Sequence, residues 1–242
     1  MGEVVVGCCG FPCSRKKYFS MFSSVELQQT FYQLPSVEYA KKLRSEAPRE
    51  FIFTMKCFQG VTHPTTSPTW RRCREDYRGK DYGFLKLNKH VLDAWKRSVE
   101  VAEALKAHVI LLQLPSSFKE TDENVERAVS FLNAVERKNF LIALELRGWS
   151  ENAIEEICRK CDVIDCCDIL VRYPTYLSSN KVAYIRLHGR YEGRRIIYSY
   201  KYSPEEIREI KERVESLEAR KSFVFFNNSF MLLNAQELIN LL

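Results

Sequence analysis

Short apolar runs rich in β-branched or aromatic residues recur along this chain, and each ends in strongly polar residues. They are VVVGCC (4–9), SVELQQ (24–29), FIFTMK (51–56), HVILLQ (108–113), LIALELR (141–147), VAYIRLH (182–188) and FVFFNN (223–228). Helical patterns separate most of them, which predicts strands of a parallel sheet whose carboxyl ends carry the chemistry. Side chains alternate along a strand, so Glu26 and Gln28 share a face, as do Glu145 and Arg147, and likewise Tyr184, Arg186 and His188. Those faces point away from the helix layer.

The intervening segments complete the pattern. Ser36 is placed to cap a helix that turns Val37, Ala40 and Leu43 inward, with Pro48 beyond its end. Further helices are predicted at about 89–107, 121–137, 150–161 and 233–241. Another opens on Ser203-Pro204-Glu205-Glu206, where a cap, a first-turn proline and first-turn acids stand in order. For the sixth strand, CDVIDC (161–166) and DILVRY (168–173) both qualify, and the second is preferred. Residues 58–88 have no clear helix period, and loops that long inside a compact domain are usually lids or binding loops. Eight strands with intervening helices predict an α/β fold, a (β/α)8 TIM barrel forming a single domain over 1–242; no Gly-x-Gly-x-x-Gly turn favours a Rossmann sheet.

Composition narrows the class. With 242 residues, 45% hydrophobic and 28% charged, the chain is long enough for one barrel and gives no support to disorder. No apolar stretch approaches the roughly 20 residues that span a bilayer, so a cytoplasmic protein with no membrane partner is expected. Nine cysteines without an export signal argue against a secreted disulfide scaffold, leaving free thiols, a metal site or disulfides of a heat-stable protein. The abundant Glu, Lys and Arg would suit the last. Cys158 and Cys161 are expected on the inner face of a helix as small hydrophobes.

Charge changes the picture more. Segments 10–23, 58–88 and 189–203 hold thirteen Lys or Arg against four acids, whereas the whole chain is only +6. They also hold 13 of the 30 aromatic residues. A basic, aromatic barrel mouth suits an anionic ligand with ring or sugar faces, such as a sugar phosphate, a nucleotide or a nucleic acid strand. A solvated rim with incidental charge is the plainer alternative.

The segments VELQQTFYQLP (25–35), FIFTMKCFQGVTH (51–63), LLQLPSSF (111–118), ALELRGW (143–149), YIRLHG (184–189) and FFNN (225–228) together resemble the YecE-like family, a domain of unknown function, number 72. The resemblance runs in order from Gly7 to the C-terminus. It implies a TIM barrel and brings no established reaction. One departure is the cysteine-rich stretch at Cys8, Cys9 and Cys13, where other members often carry small or hydroxyl residues, so a cysteine-dependent mechanism is a poor guess for the family.

The polar ring suggests its own chemistry. Glu26 and Glu145, on strands two and five, could act as paired general acid and base; the alternative is an interior ion-pair network with Lys56, Arg147 and Arg186. His188 is the better proton-transfer candidate, because histidine titrates near neutrality, and His63 would enter the site when the long loop closes. Lys56 could serve as an electrophile, an anion ligand or, if desolvated, a Schiff-base amine. Arg147 and Arg186 would bind the anion. Gln113, Asn227 and Asn228 read as orienting amides, and Tyr32, Trp149 and Tyr202 as aromatic substrate contacts. Glu26, Glu145 and His188 are metal-ligand types, yet the neighbouring cations would repel a metal, so no metal and no cofactor is expected. Two functions follow: an enzyme, of hydrolase, lyase or isomerase type, acting on a small anionic or sugar-containing substrate, or a nucleic-acid-binding protein.

Overall fold

The computed structural model describes residues 2–193 and 195–242. In chain order the strands are β1 (Glu3–Cys9), β2 (Ser24–Leu27), β3 (Ile52–Lys56), β4 (Val109–Gln113), β5 (Leu141–Glu145), β6 (Ile164–Cys167), β7 (Val182–Leu187), β8 (Arg190–Glu192), β9 (Arg195–Ile197) and β10 (Lys221–Phe226). Eight of them pair in parallel as a closed barrel, in the order β1-β10-β7-β6-β5-β4-β3-β2, while β8 and β9 form an antiparallel hairpin outside it. Closure removes both sheet edges, and with one face turned to the barrel interior and the other to the helix layer, β2, β3, β4, β6 and β7 are buried along their whole length.

Alternation divides the strand residues between two cores. Val5, Val109, Leu111, Ala143, Ile164, Tyr184, Phe223 and Phe225 fill the barrel interior. Their neighbours Val6, Val25, Phe53, Met55, Ile110, Leu112, Leu144, Ile185 and Val224 face outward and pack with the helices. Above the apolar interior layers, the inward face of the same strands ends in Glu26, Lys56, Gln113, Glu145 and Arg186.

The helices are α1 (Arg15–Phe19), α2 (Gln29–Tyr32), α3 (Val37–Glu46), α4 (Gln59–Thr62), α5 (Lys89–Leu105), α6 (Asp122–Ala134), α7 (Glu151–Cys161), α8 (Pro204–Glu215) and α9 (Met231–Ile239). Five of them, α3, α5, α6, α7 and α8, start on a side-chain cap. Ser36 Oγ accepts the Tyr39 N–H, and Ser203 with Glu206 forms a reciprocal capping box. Cys158 and Cys161 are buried on α7, and all nine cysteines are free thiols.

Two expectations need correction. The sixth strand is Ile164–Cys167, inside the segment that was not preferred, and 168–173 is a turn. Asp168 makes that turn: its carbonyl accepts the Val171 and Arg172 N–H groups and its Oδ1 accepts the Leu170 N–H. Val171 and Tyr173 are left exposed, so their apolar pattern marks no buried face. No helix lies between β6 and β7 among the described residues; the irregular segment 168–181 takes its place and supplies Arg172 and Thr175 to the outward-facing, buried Asp165.

The stretch 58–88 is an ordered pad rather than an open loop. Trp70 and Tyr82 stack at 5.0 Å, with Phe58 edge-on at 5.7 Å from Trp70. Residues 83–85 bond back to 60–62. Gly83, at φ +85°, passes so close to the backbone at His63 and Pro64 that a Cβ would lie 2.3 Å from it.

Candidate active site at the barrel mouth

Arg186 organises the mouth. It rises from the inward face of β7 and is 1% exposed. Its Nε donates to Glu26 Oε1 at 3.1 Å and its Nη1 to Glu145 Oε2 at 2.5 Å, so one guanidinium bridges carboxylates from β2 and β5. Glu26 has no exposure and also accepts from the Tyr184 hydroxyl (2.7 Å), the Cys9 thiol (3.1 Å) and the Gln28 amide. Glu145 accepts from Arg147 Nε at 2.7 Å. Burial alone would raise the Glu145 pKa, but the charges of Arg147 and Arg186 outweigh it and hold the group well below the usual carboxylate range. That makes Glu145 a poor proton donor.

His188, two residues beyond Arg186 on the same face, is a neutral acceptor. Its Nε2 lies 3.1 Å from Arg186 Nη1 and 3.2 Å from Arg147 Nη2. Guanidinium groups only donate, so Nε2 carries the lone pair and Nδ1 the proton, 3.4 Å from the Tyr191 hydroxyl. Burial pushes its pKa well below the ordinary value; Glu145 opposes this, and the two arginines add to it. The expectation of a histidine poised near neutrality is therefore not met at His188. His63 is likewise buried, bonded through Nδ1 to the Thr62 hydroxyl at 2.8 Å, and lowered to about 3, chiefly by burial and then by Lys56.

Lys56 takes the poised position instead. Its ammonium end lies 2.8 Å from Gln113 Oε1 and 3.9 Å over the Phe31 ring. Burial, and after it the charge of Arg186, lowers its pKa to about 7. Its cluster holds three cationic side chains, Lys56, Arg147 and Arg186, against two carboxylates, Glu26 and Glu145, so a neutral amine balances the site. Asp168, just past β6, is a second group near neutrality: burial raises its pKa to about 7, partly offset by N–H bonds from Leu170 and His188. Sequence reasoning missed Asp168 by placing it at the start of a strand instead of the end of one.

The remaining expected residues separate by environment. Arg147 is the most open of the charged cluster, with its side chain 31% exposed. Gln113 orients Lys56 and gives its amide N–H to the Leu114 carbonyl. Asn227 is half-buried at the end of β10, whereas Asn228 is buried and ties the Tyr200 carbonyl to Asn234 on α9. Trp149 stacks on Phe118 and donates to its carbonyl; the Tyr202 hydroxyl bonds both N–H and C=O of Gly189. Both rings are buried as supports of the site's walls. Tyr32 is half-buried away from the cluster, beneath Arg72. Tyr191 and Tyr198, carried by and just beyond the β8–β9 hairpin, stand exposed beside His188.

The donor set does not fit a metal ion. Arg186 occupies the space between Glu26 and Glu145, and its guanidinium also faces the only ring nitrogen of His188 free to ligate. Of the aromatic residues in the basic segments, Tyr18, Phe22, Phe58, Trp70, Tyr82 and Tyr202 are buried in the fold. Those segments follow β1, β3 and β7, so the positive charge does gather at the carboxyl ends of the strands.

A parallel eight-stranded barrel with a charged side-chain ring at its carboxyl end defines a TIM-barrel protein. The family model "Protein of unknown function DUF72" matches residues 14–242, and the chain belongs to that family, consistent with the YecE-like resemblance of its segments. The UPF0759 protein YunF of Bacillus subtilis is 24% identical over 89% of this chain and 82% of its own length. A DUF72 family protein from Thermotoga maritima superposes with a TM-score of 0.70 at 25% identity, covering 99% of this chain and 98% of its own. Another, from Enterococcus faecalis, reaches 0.75 at 19% identity over 98% and 94%. More remote barrels, including a xylose isomerase domain containing protein and a D-tagatose 3-epimerase-like protein, share the fold alone. Among the described residues no helix is long and apolar enough to cross a membrane.

Proposed function

We propose that this protein is an enzyme that performs acid/base chemistry on a small anionic or sugar-containing substrate at the barrel mouth. One observation carries the reading: Lys56 is a buried amine, fixed by Gln113 and Phe31 and lowered to about 7, so at neutral pH both its protonated and free forms are populated. Such a group accepts a proton from a substrate, returns it, or as the free amine attacks a carbonyl. Arg147, half-open above the fixed carboxylates, offers the anchor for an anionic substituent, and Asp168 supplies a second proton-exchanging group. Glu26, Glu145 and Arg186 act as a rigid charged floor, with His188 as a neutral hydrogen-bonding wall. A cofactor-free hydrolase, lyase or isomerase remains the reaction class.

An anion that binds at Arg147 brings negative charge to the site and stabilises the protonated form of Lys56, so binding should draw in a proton. The first experiment is a thermal-shift screen against sugars, sugar phosphates, nucleotides and short oligonucleotides at two salt concentrations. Stabilisation by one small-molecule class, lost in Arg147→Gln, supports the proposal. Turnover of that class should then fall by about 10²–10⁴ in Lys56→Gln with the fold intact. Stabilisation by oligonucleotides only, fading steeply with salt, overturns it in favour of nucleic-acid binding.

A further inference from the structure

β2 lies between β1 and β3 in the barrel, so the basic segments that follow β1 and β3 converge over the carboxyl end of β2. Where they meet, outside the barrel mouth, there is a cavity of ≈ 380 Å³. Its floor is apolar, built from outward-facing Leu27 of β2, Leu43 of α3, and Leu34 and Phe11. Its rim carries Arg15, Arg72 and Arg74, and no acidic residue lines it.

The three guanidiniums are not equally available. Arg15 pairs with Glu46 at 3.0 Å. Arg72 sets its guanidinium carbon 3.6 Å from the centre of the Tyr32 ring, a cation–π contact that restrains it beside the cavity. The nearest acid in the chain to Arg74, Glu75, is taken by Arg97 through two bonds of 2.9 and 2.5 Å and by the Gln33 amide at 3.0 Å. Gln33 Oε1 in turn accepts the Arg74 N–H, fixing the backbone that carries that arginine. Among the described residues no carboxylate lies within ion-pair distance of Arg72 or Arg74.

We infer that this cavity is a binding site, separate from the barrel mouth, for a small organic phosphate with a planar ring body, of the mononucleotide class. The apolar floor takes the ring, and the two uncompensated guanidiniums take the phosphate, which they match in bidentate geometry. A volume near the lower end of ligand cavities, about 300–1,000 Å³, suits one ring and one phosphate. The site is independent of turnover at Lys56.

The test is calorimetric titration of the protein with adenosine monophosphate, and with adenosine and inorganic phosphate as its two halves. The monophosphate should bind more tightly than either half. Arg72→Gln and Arg74→Gln, both exposed positions, should each weaken it about tenfold, and Lys56→Gln should leave it unchanged. The inference is overturned if the monophosphate does not bind at millimolar concentration, or binds no better than inorganic phosphate. It is also overturned if binding survives both arginine substitutions, or if it is lost in Lys56→Gln, which would place the ligand in the mouth.

Discussion

At the scale of single residues, the interior charge of the barrel sets two measurable behaviours. Lys56 has a pKa near 7 when folded and near 10.5 when unfolded. Between those values the unfolded chain binds more protons, so Lys56 makes stability rise with pH from about 7, at about 1.4 kcal/mol per unit. The buried thiols, raised by burial, pull the other way once the unfolded chain begins to lose their protons near pH 8.5. Comparing urea midpoints of the wild type and Lys56→Met cancels that term. The variant should gain stability on the wild type at pH 6.5, by a few kcal/mol, and the gain should shrink as pH approaches 8.5. A constant difference would refute the depressed amine. Arg186 behaves oppositely, because removing it leaves Glu26 and Glu145 buried without their shared partner. Arg186→Ala should cost about 3–5 kcal/mol, and adding Glu26→Gln should recover part of the loss in the same denaturation measurement. The identities of these residues were legible in the sequence because strand alternation places inward side chains. Their roles were not: His188 was expected to titrate near neutrality and Lys56 only if desolvated, and burial reversed the two.

At the scale of elements, the helix starts and most strands follow local chemistry, and the failure at β6 shows where local chemistry stops. Ile-Asp-Cys-Cys has only one β-branched residue and a carboxylate in its middle, which reads poorly as a buried strand. Asp165 is tolerated because Arg172 reaches it through two bonds of 2.6 and 2.8 Å and Thr175 adds two more. Those partners come from the segment that replaces a helix. Arg172→Ala should therefore destabilise by about 3 kcal/mol and raise amide exchange across 168–181. If exchange there stays at wild-type rates, the pair is not what holds the segment. The hairpin β8–β9 had no sequence signal separate from the basic loop around it, since its strands are only three residues each.

At the scale of the whole molecule, all nine cysteines are free thiols and seven of them are buried. Cys158, Cys161, Cys166 and Cys167 are buried in the helix layer and barrel wall, with thiols whose pKa burial raises. The melting temperature should be the same with and without a strong reductant; a fall on reduction would point to a bridge. The distribution of charge was also legible in advance, because in a parallel barrel every loop that follows a strand emerges at the same end. The basic segments after β1, β3 and β7 had to share one rim.

By itself the sequence determined the barrel, the end at which positive charge gathers and, on every strand but β6, the set of side chains turned inward, because each follows from strand period and chain order. Only the tertiary structure decided which of those side chains meet. Arg186 bridges Glu26 and Glu145 from strands far apart in sequence, and Lys56 reaches Gln113 and Phe31 rather than a carboxylate. Asp168 gains its position from a turn that the pattern had read as a strand. The physical reason is the same in each case: pairing and proton affinity depend on distance and on exclusion of water, and both are set only when the barrel closes.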